Sequence, residues 1–396
     1  MFCRHLCGHH PHGNFEYSRV GFSEYVILGV SEYNESVHQS PFPYHGPLRA
    51  EQVSGRESLA LDLAQRISDR RLNALIGPRR YGKTSLLKRV AADLEAVGPA
   101  CVWIDLYQLT SMSDLAAAVD SGLAGLVGPA RRVLDAIAAS VSLSVGALEF
   151  ARSPRNRVDP ALAVRNRLEV VVRTAERQDL FVVFDEFSGI AGVDGGAGLL
   201  RTGLQHHFQS LGIVFAGSEP STMRTLFGDQ SQPFFAQADL VEIGPLGDEA
   251  VLGIIERGFA GTGRDAGIAA RRIVSMVRGH PQRAMQLADA VWRRVEPGAT
   301  AGPTEWEEAL AEVRASVEAF SERMFDLLTA GQRKVLRAVA GSGSIYGREA
   351  KLLDLPAATA RDAAQSLVGK GFLTRSERLE VVDPLLDDWL RRRFLR

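Results

Sequence analysis

Several protein classes are argued against by what the sequence lacks. Cysteine is scarce, with only Cys3, Cys7 and Cys101 among 396 residues. That is too few for a disulfide framework and fits a reducing compartment. No run of about 18 apolar residues occurs, which argues against a spanning helix. The N-terminus carries polar His, Asn and Glu where a signal peptide needs an apolar stretch. These absences give the expectation of a cytoplasmic protein with no membrane partner. Net charge is nearly absent too: 46 Lys and Arg against 47 Asp and Glu leave −1. No global field therefore draws the chain to nucleic acid or to an anionic membrane. No internal repeat is found. What remains is ordinary for a globular chain, 45% hydrophobic and 23% charged, and long enough for two or three domains.

Residues 1–45 stand apart from the rest. They hold His5, His9, His10, His12, His38 and His45 without helical periodicity, so poor order is expected there. Cys3, His5, Cys7, His9, His10 and His12 are of zinc-ligating types, but their spacing fits no closed site. From residue 53 onward the pattern is α/β. Leu59, Leu63 and Ile67 recur at helical spacing before an apolar run over 72–76 that ends in glycine. A helix is predicted over 84–96, stopped by Gly98-Pro99. Further strands are predicted over 101–104, 180–184, 213–216 and 241–243. Short apolar runs between helical stretches imply a parallel sheet with helices on both faces. Alternation of Val141, Leu143 and Val145 with serines predicts an inserted hairpin. From 247 to about 295 the pattern is helical only.

Gly77-Pro78-Arg79-Arg80-Tyr81-Gly82-Lys83-Thr84 matches GxxxxGK[ST] in full, between a predicted strand and a predicted helix. The glycines let backbone N–H groups wrap toward phosphate oxygens. Lys83 would reach the β- and γ-phosphates, Thr84 would offer a hydroxyl to Mg²⁺, and the helix beginning there, through Ser85, would turn its positive end to the anion. The ligand expected is ATP with Mg²⁺.

The run over 180–184 ends in Asp185-Glu186. An acid at the tip of a buried strand lies at the carboxyl edge of the sheet, where open α/β folds bind ligands. Asp185 is the second anchor for Mg²⁺ through water, and Glu186 the general base that polarises attacking water. Glutamate directly after the aspartate points to the additional-strand class of P-loop ATPases. Ser218, at the end of the run over 213–216, would stand beside the acidic strand as a sensor of the γ-phosphate.

GPRRYGKTSLL, FVVFDEF and FAGSEPSTMRTLF, in this order, resemble the archaeal ATPase group of AAA+/STAND-type P-loop proteins, related to origin-recognition and NACHT-like switches. The resemblance runs from about residue 47 to the C-terminus. It implies a P-loop core over 46–244 and a helical lid over 245–303. Val53-Ser54-Gly55-Arg56-Glu57 looks like the family's [VI]xGRE box, so Val53, Gly55 and Arg56 would lie against the adenine. Gly279-His280-Pro281 looks like the lid's GxP motif, whose Pro281 approaches the nucleotide. Arg283 is one step off the sensor-2 arginine, with Gln282 at the matching step. Arg224 could serve a neighbouring copy as an arginine finger, or be an ordinary surface arginine.

Beyond a Pro/Gly-rich linker over 296–303, residues 304–396 read as a C-terminal winged helix-turn-helix. Helices are predicted over 332–340 and 357–368, followed by a strand pair around 375–378. Asp383-Pro384 through Trp389-Leu390 resembles the family's DPxxxxWL ending. Residues 321–396 hold 14 Arg and Lys against 10 Asp and Glu, a mild excess for a nucleic-acid binder. DNA and a protein partner both stay open for this module, as does nucleotide-dependent self-association. The functional expectation is an ATP-hydrolysing switch, with a DNA-binding regulator or signalling scaffold as the alternative.

Overall fold

Five short apolar runs become one sheet: β1 (Leu72–Ile76), β2 (Ala100–Asp105), β3 (Leu180–Asp185), β4 (Gly212–Gly217) and β5 (Asp239–Glu242). The computed structural model describes residues 39–140, 159–375 and 378–395. The cysteine-histidine cluster and the hairpin expected from the sequence lie outside these residues. The strands are parallel in the order β2-β3-β4-β1-β5. β4 therefore separates the phosphate-loop strand β1 from the acidic strand β3, as expected of the additional-strand class. Parallel strands need crossovers. These are α2 (Lys83–Glu95), α3 (Met112–Ala124), α4 (Gly128–Ser140), α5 (Pro160–Ala175), α6 (Gly196–Leu204) and α7 (Pro220–Gly228), while α1 (Glu57–Ser68) precedes the sheet.

Although the central strands are buried throughout, their side chains still alternate between two layers. Ala74, Ile76, Val182 and Phe184 pack with α3, α5 and α7. Leu75, Phe181 and Val183 pack on the other face with Leu63 and Ile67 of α1 and Leu86, Leu87 and Val90 of α2.

After β5 come α8 (Asp248–Ala260), α9 (Gly267–Val277), α10 (Pro281–Trp292) and the long α11 (Pro303–Asp326). These share a core of their own. The last segment holds α12 (Ala330–Ser342), α13 (Arg348–Leu352), α14 (Ala357–Gly369), the antiparallel pair β6 (Leu373–Arg375) and β7 (Leu379–Val381), and α15 (Pro384–Phe394), around a fourth core. α11 runs through both: Trp306 to Val317 belong to the first helical core, Phe325 to the second.

Residues 39–45 fall in the stretch expected to be poorly ordered, but part of it is packed. Phe42 is 1% exposed, its ring 5.4 Å from that of Phe259. The physical reason is that α8 presents Gly258 there, and the ring fills the space a side chain would take.

Candidate nucleotide site

The phosphate loop owes its shape to two glycines. A Cβ on Gly77 would stand 2.3 Å from Ile243 Cγ2, so only glycine lets the chain turn beneath the end of β5. Gly82 takes φ +85 as the N-cap of α2 and gives no side-chain cap, which leaves first-turn N–H groups of that helix for an anion. Lys83 is 5% exposed. Its Nζ donates to the carbonyls of Gly77 at 2.9 Å and Pro78 at 2.8 Å. Burial brings its pKa down to about 8, with Glu186 and Asp185 acting in the opposite sense.

Thr84 Oγ1 donates to Asp185 Oδ2 at 3.0 Å, which ties the start of α2 to the end of β3. Burial pushes the Asp185 carboxyl up to about 6, against the hydrogen bond from Thr84. Asp185 forms no ion pair among the described residues, and it lies behind Thr84 rather than in the cleft wall. Glu186 is held at φ 51, ψ 41, a left-handed conformation that costs a non-glycine residue about 1–3 kcal/mol. Ser218, beyond the end of β4, donates its hydroxyl to Glu186 Oε2 at 2.6 Å. Behind these strand ends lies a cluster of Phe184, Phe187, Phe215, Phe227 and Phe234, with ring centroids 4.5–6.0 Å apart. Packed aromatics at this spacing fix the backbone beneath the two acids.

A cleft of about 820 Å³ opens over the loop. Its wall includes Arg79, Arg80, Tyr81, Gly82, Lys83, Thr84 and Ser85 together with Val53, Arg56, Glu186, Ser218 and Pro281. Gly77 and Pro78 sit below it, their carbonyls engaged by Lys83. Gly55 is not in the wall; its Cβ position faces Ala250 and Leu246, so it seats the turn against α8. Arg56 donates to the carbonyls of Gly244 at 2.6 Å and Tyr81 at 3.4 Å, and burial brings it down to about 10.

Three features of the site were missed in the sequence. The first is the cleft wall formed by residues 43–48, and the second is the pair of hydrogen bonds that seats it. Leu48 N donates to Ser85 Oγ at 3.0 Å, and Gln282 Nε2 donates to the Tyr44 carbonyl, also at 3.0 Å. The only signal available was the apolar pair Phe42 and Leu48 within a histidine-rich stretch. The third is Asp383, which accepts from Arg283 Nε at 3.1 Å and Nη2 at 2.5 Å. Its place beside Pro384 signalled a helix start, and it does cap α15, but nothing local pointed to Arg283. Arg224 donates to Glu242 Oε1 at 2.6 Å in an exposed ion pair.

No family model and no curated protein matches the chain. Among solved structures, a Walker-type ATPase of Pyrococcus abyssi matches with a TM-score of 0.68 at 18% identity, over 89% of this chain and 99% of that one. The ORC2 protein of Aeropyrum pernix, in ADPNP-ADP complexes, matches with a TM-score of 0.55 at 14% identity, over 90% of this chain and 98% of that one. The chain thus has the P-loop ATPase fold that these archaeal proteins share.

Proposed function

We propose that this chain binds Mg·ATP in the cleft, hydrolyses it slowly and uses the nucleotide as a conformational switch. The observation that carries the reading is the Thr84–Asp185 hydrogen bond at the mouth of the phosphate loop. It joins a hydroxyl from the first turn of α2 to a carboxylate at the end of β3, across the gap that β4 opens between β1 and β3, with Lys83 buried beside them. An ordinary strand-end acid would face water, without a buried lysine as neighbour.

In this reading the N–H groups of residues 79–85 and Lys83 hold the β- and γ-phosphates, and Lys83 exchanges its two carbonyl acceptors for phosphate oxygens. Thr84 and Asp185 are hard oxygen donors of the kind Mg²⁺ takes, and among the described residues no cation forms an ion pair with the buried Asp185 carboxyl. Held by these two residues, the ion would supply Lewis-acid chemistry that withdraws charge from the phosphate oxygens. Val53, Gly55, Arg56 and Pro281 form the adenine side, Gly55 by positioning its neighbours. Glu186 accepts the proton of the attacking water, oriented by the Ser218 hydroxyl.

The switch reading draws on the helices over 245–303 as a lid and residues 304–396 as a winged module. Arg283 of the lid is 5% exposed and committed to Asp383 of that module. An arriving phosphate would compete for that guanidinium and thereby couple nucleotide state to the module's position. For partners, the C-terminal arginines weigh toward protein rather than DNA. Arg391 pairs with Asp387, Arg392 with Asp388 and Glu318, and Arg393 with Glu322, so each already faces a carboxylate that partly offsets its charge.

The test is steady-state hydrolysis by Glu186→Gln. It is expected to bind ATP as the unaltered chain does but to turn over at least about tenfold more slowly. Equal rates would discard the base assignment.

A further inference from the structure

The arginines around the cleft differ in how they are engaged. Arg56 is bound to backbone carbonyls, Arg283 to Asp383 and Arg224 to Glu242. Arg79 is different. It lies in the phosphate loop and in the cleft wall, forms no ion pair among the described residues, and approaches only Ser218, with Nε 3.5 Å from Oγ. That hydroxyl is the one that donates to Glu186 at 2.6 Å. Arg79 also stands near enough to Lys83 to oppose its charge. The guanidinium is therefore a cation without an ion pair among the described residues, near Lys83 and beside the hydroxyl that is bonded to Glu186.

We propose that Arg79 contacts the γ-phosphoryl group in cis and stabilises the charge that develops on it during hydrolysis, a role that many P-loop ATPases assign to an arginine from another chain. The proposal rests on the ATP reading above. In the step concerned, water oxygen bonds to the γ-phosphorus as the bond to the β,γ-bridging oxygen breaks. The electron pair of that bond leaves with ADP, and the water proton passes to the Glu186 carboxylate. Charge grows on the equatorial and bridging oxygens, and a guanidinium with free N–H donors lowers the barrier most when it meets charge present only then. Arg79 needs no movement of a partner chain to reach that position, because the loop itself carries it.

The experiment compares the full-length chain with Arg79→Ala and Arg79→Lys. Arginine fingers contribute roughly 10³–10⁵ in rate, so kcat of Arg79→Ala should fall at least about a hundredfold, while Mg·ADP affinity changes by less than about threefold. A second readout needs no turnover: retention of fluorescent ADP in the presence of aluminium fluoride, which imitates the transferring group, should be lost in Arg79→Ala and weak in Arg79→Lys. Mixing Arg79→Ala with Glu186→Gln tests the cis claim, and no activity should return. Undiminished kcat or undiminished fluoride trapping in Arg79→Ala would overturn the proposal. So would rescue on mixing, or a loss of ADP affinity equal to the loss of rate. If the unaltered chain neither binds nor hydrolyses ATP, the reading of the site itself fails, and Arg79 with it.

Discussion

Lys83 and Asp185 are buried ionisable groups displaced in opposite directions by the same cause. Removal from water disfavours each charge, which brings the lysine down to about 8 and pushes the carboxyl up to about 6. Ligand binding needs both charged. Below pH 6 the metal must displace a proton from Asp185, and above pH 8 the phosphate must restore one to Lys83. Mg·ATP affinity should accordingly peak between these values and fall up to about tenfold per pH unit outside them. Titration calorimetry in buffers of different ionisation enthalpy should register proton release on binding near pH 6 and uptake near pH 8. Flat affinity from pH 5 to 9 would contradict the shifts. At this scale the sequence was informative where the chemistry is local. The loop from Gly77 to Ser85 and the Asp185-Glu186 pair could be located in the sequence because each is a short contiguous pattern, while the roles given to them belong to the proposal. Gly55 was legible as part of a motif, but its packing against Ala250 was not. Neither was the Arg283–Asp383 pair, whose members lie 100 positions apart.

Among elements, β1 was predicted to the residue, and the other strands differ by a residue or two at their ends. Apolar runs mark where burial begins, but the hydrogen bonds that extend a strand depend on its neighbours. The order of the strands cannot be read from such runs. That β4 lies between β1 and β3 was inferred from one glutamate. The segment over 40–48 is the element the sequence hid. Its composition resembles a polar tail, yet Phe42 fills the space left by Gly258 and Leu48 is pinned through Ser85. Phe42→Ala should destabilise the fold by about 3–5 kcal/mol, less if the segment detaches by itself. Because Tyr44 and Leu48 belong to the cleft wall, it should also weaken ATP binding. Denaturant unfolding and nucleotide titration of this variant check both, and unchanged affinity would make residues 43–48 a bystander to the site.

At the level of the whole molecule, four residues near the start of α15 join its parts. Val382 packs in the core beneath the phosphate loop, Asp383 holds Arg283, Leu385 enters the lid core and Leu386 the C-terminal core. Ser221 of α7 adds a hydrogen bond to the Gly369 carbonyl at the end of α14. α15 is also tied to the end of α9 and to α11 by the Arg278–Asp387 and Arg314–Asp388 ion pairs, and among these attachments the Arg283–Asp383 pair is the one that lines the cleft. Asp383→Asn leaves the buried Arg283 without its counter-charge, which should cost about 3–5 kcal/mol. Limited proteolysis should then cut the C-terminal segment faster, and added ATP should change the pattern less than in the unaltered chain. Identical digestion of the two chains would remove the latch from the switch.

Every one of these expectations presupposes that the cleft takes a nucleotide with its metal. Isothermal titration of the purified chain with ATP and Mg²⁺, beside Lys83→Ala, tests that directly. The expected result is saturable, magnesium-dependent binding near one equivalent per chain, abolished in Lys83→Ala although that variant remains folded. A folded, unaltered chain that gives no heat of binding under these conditions would contradict the account.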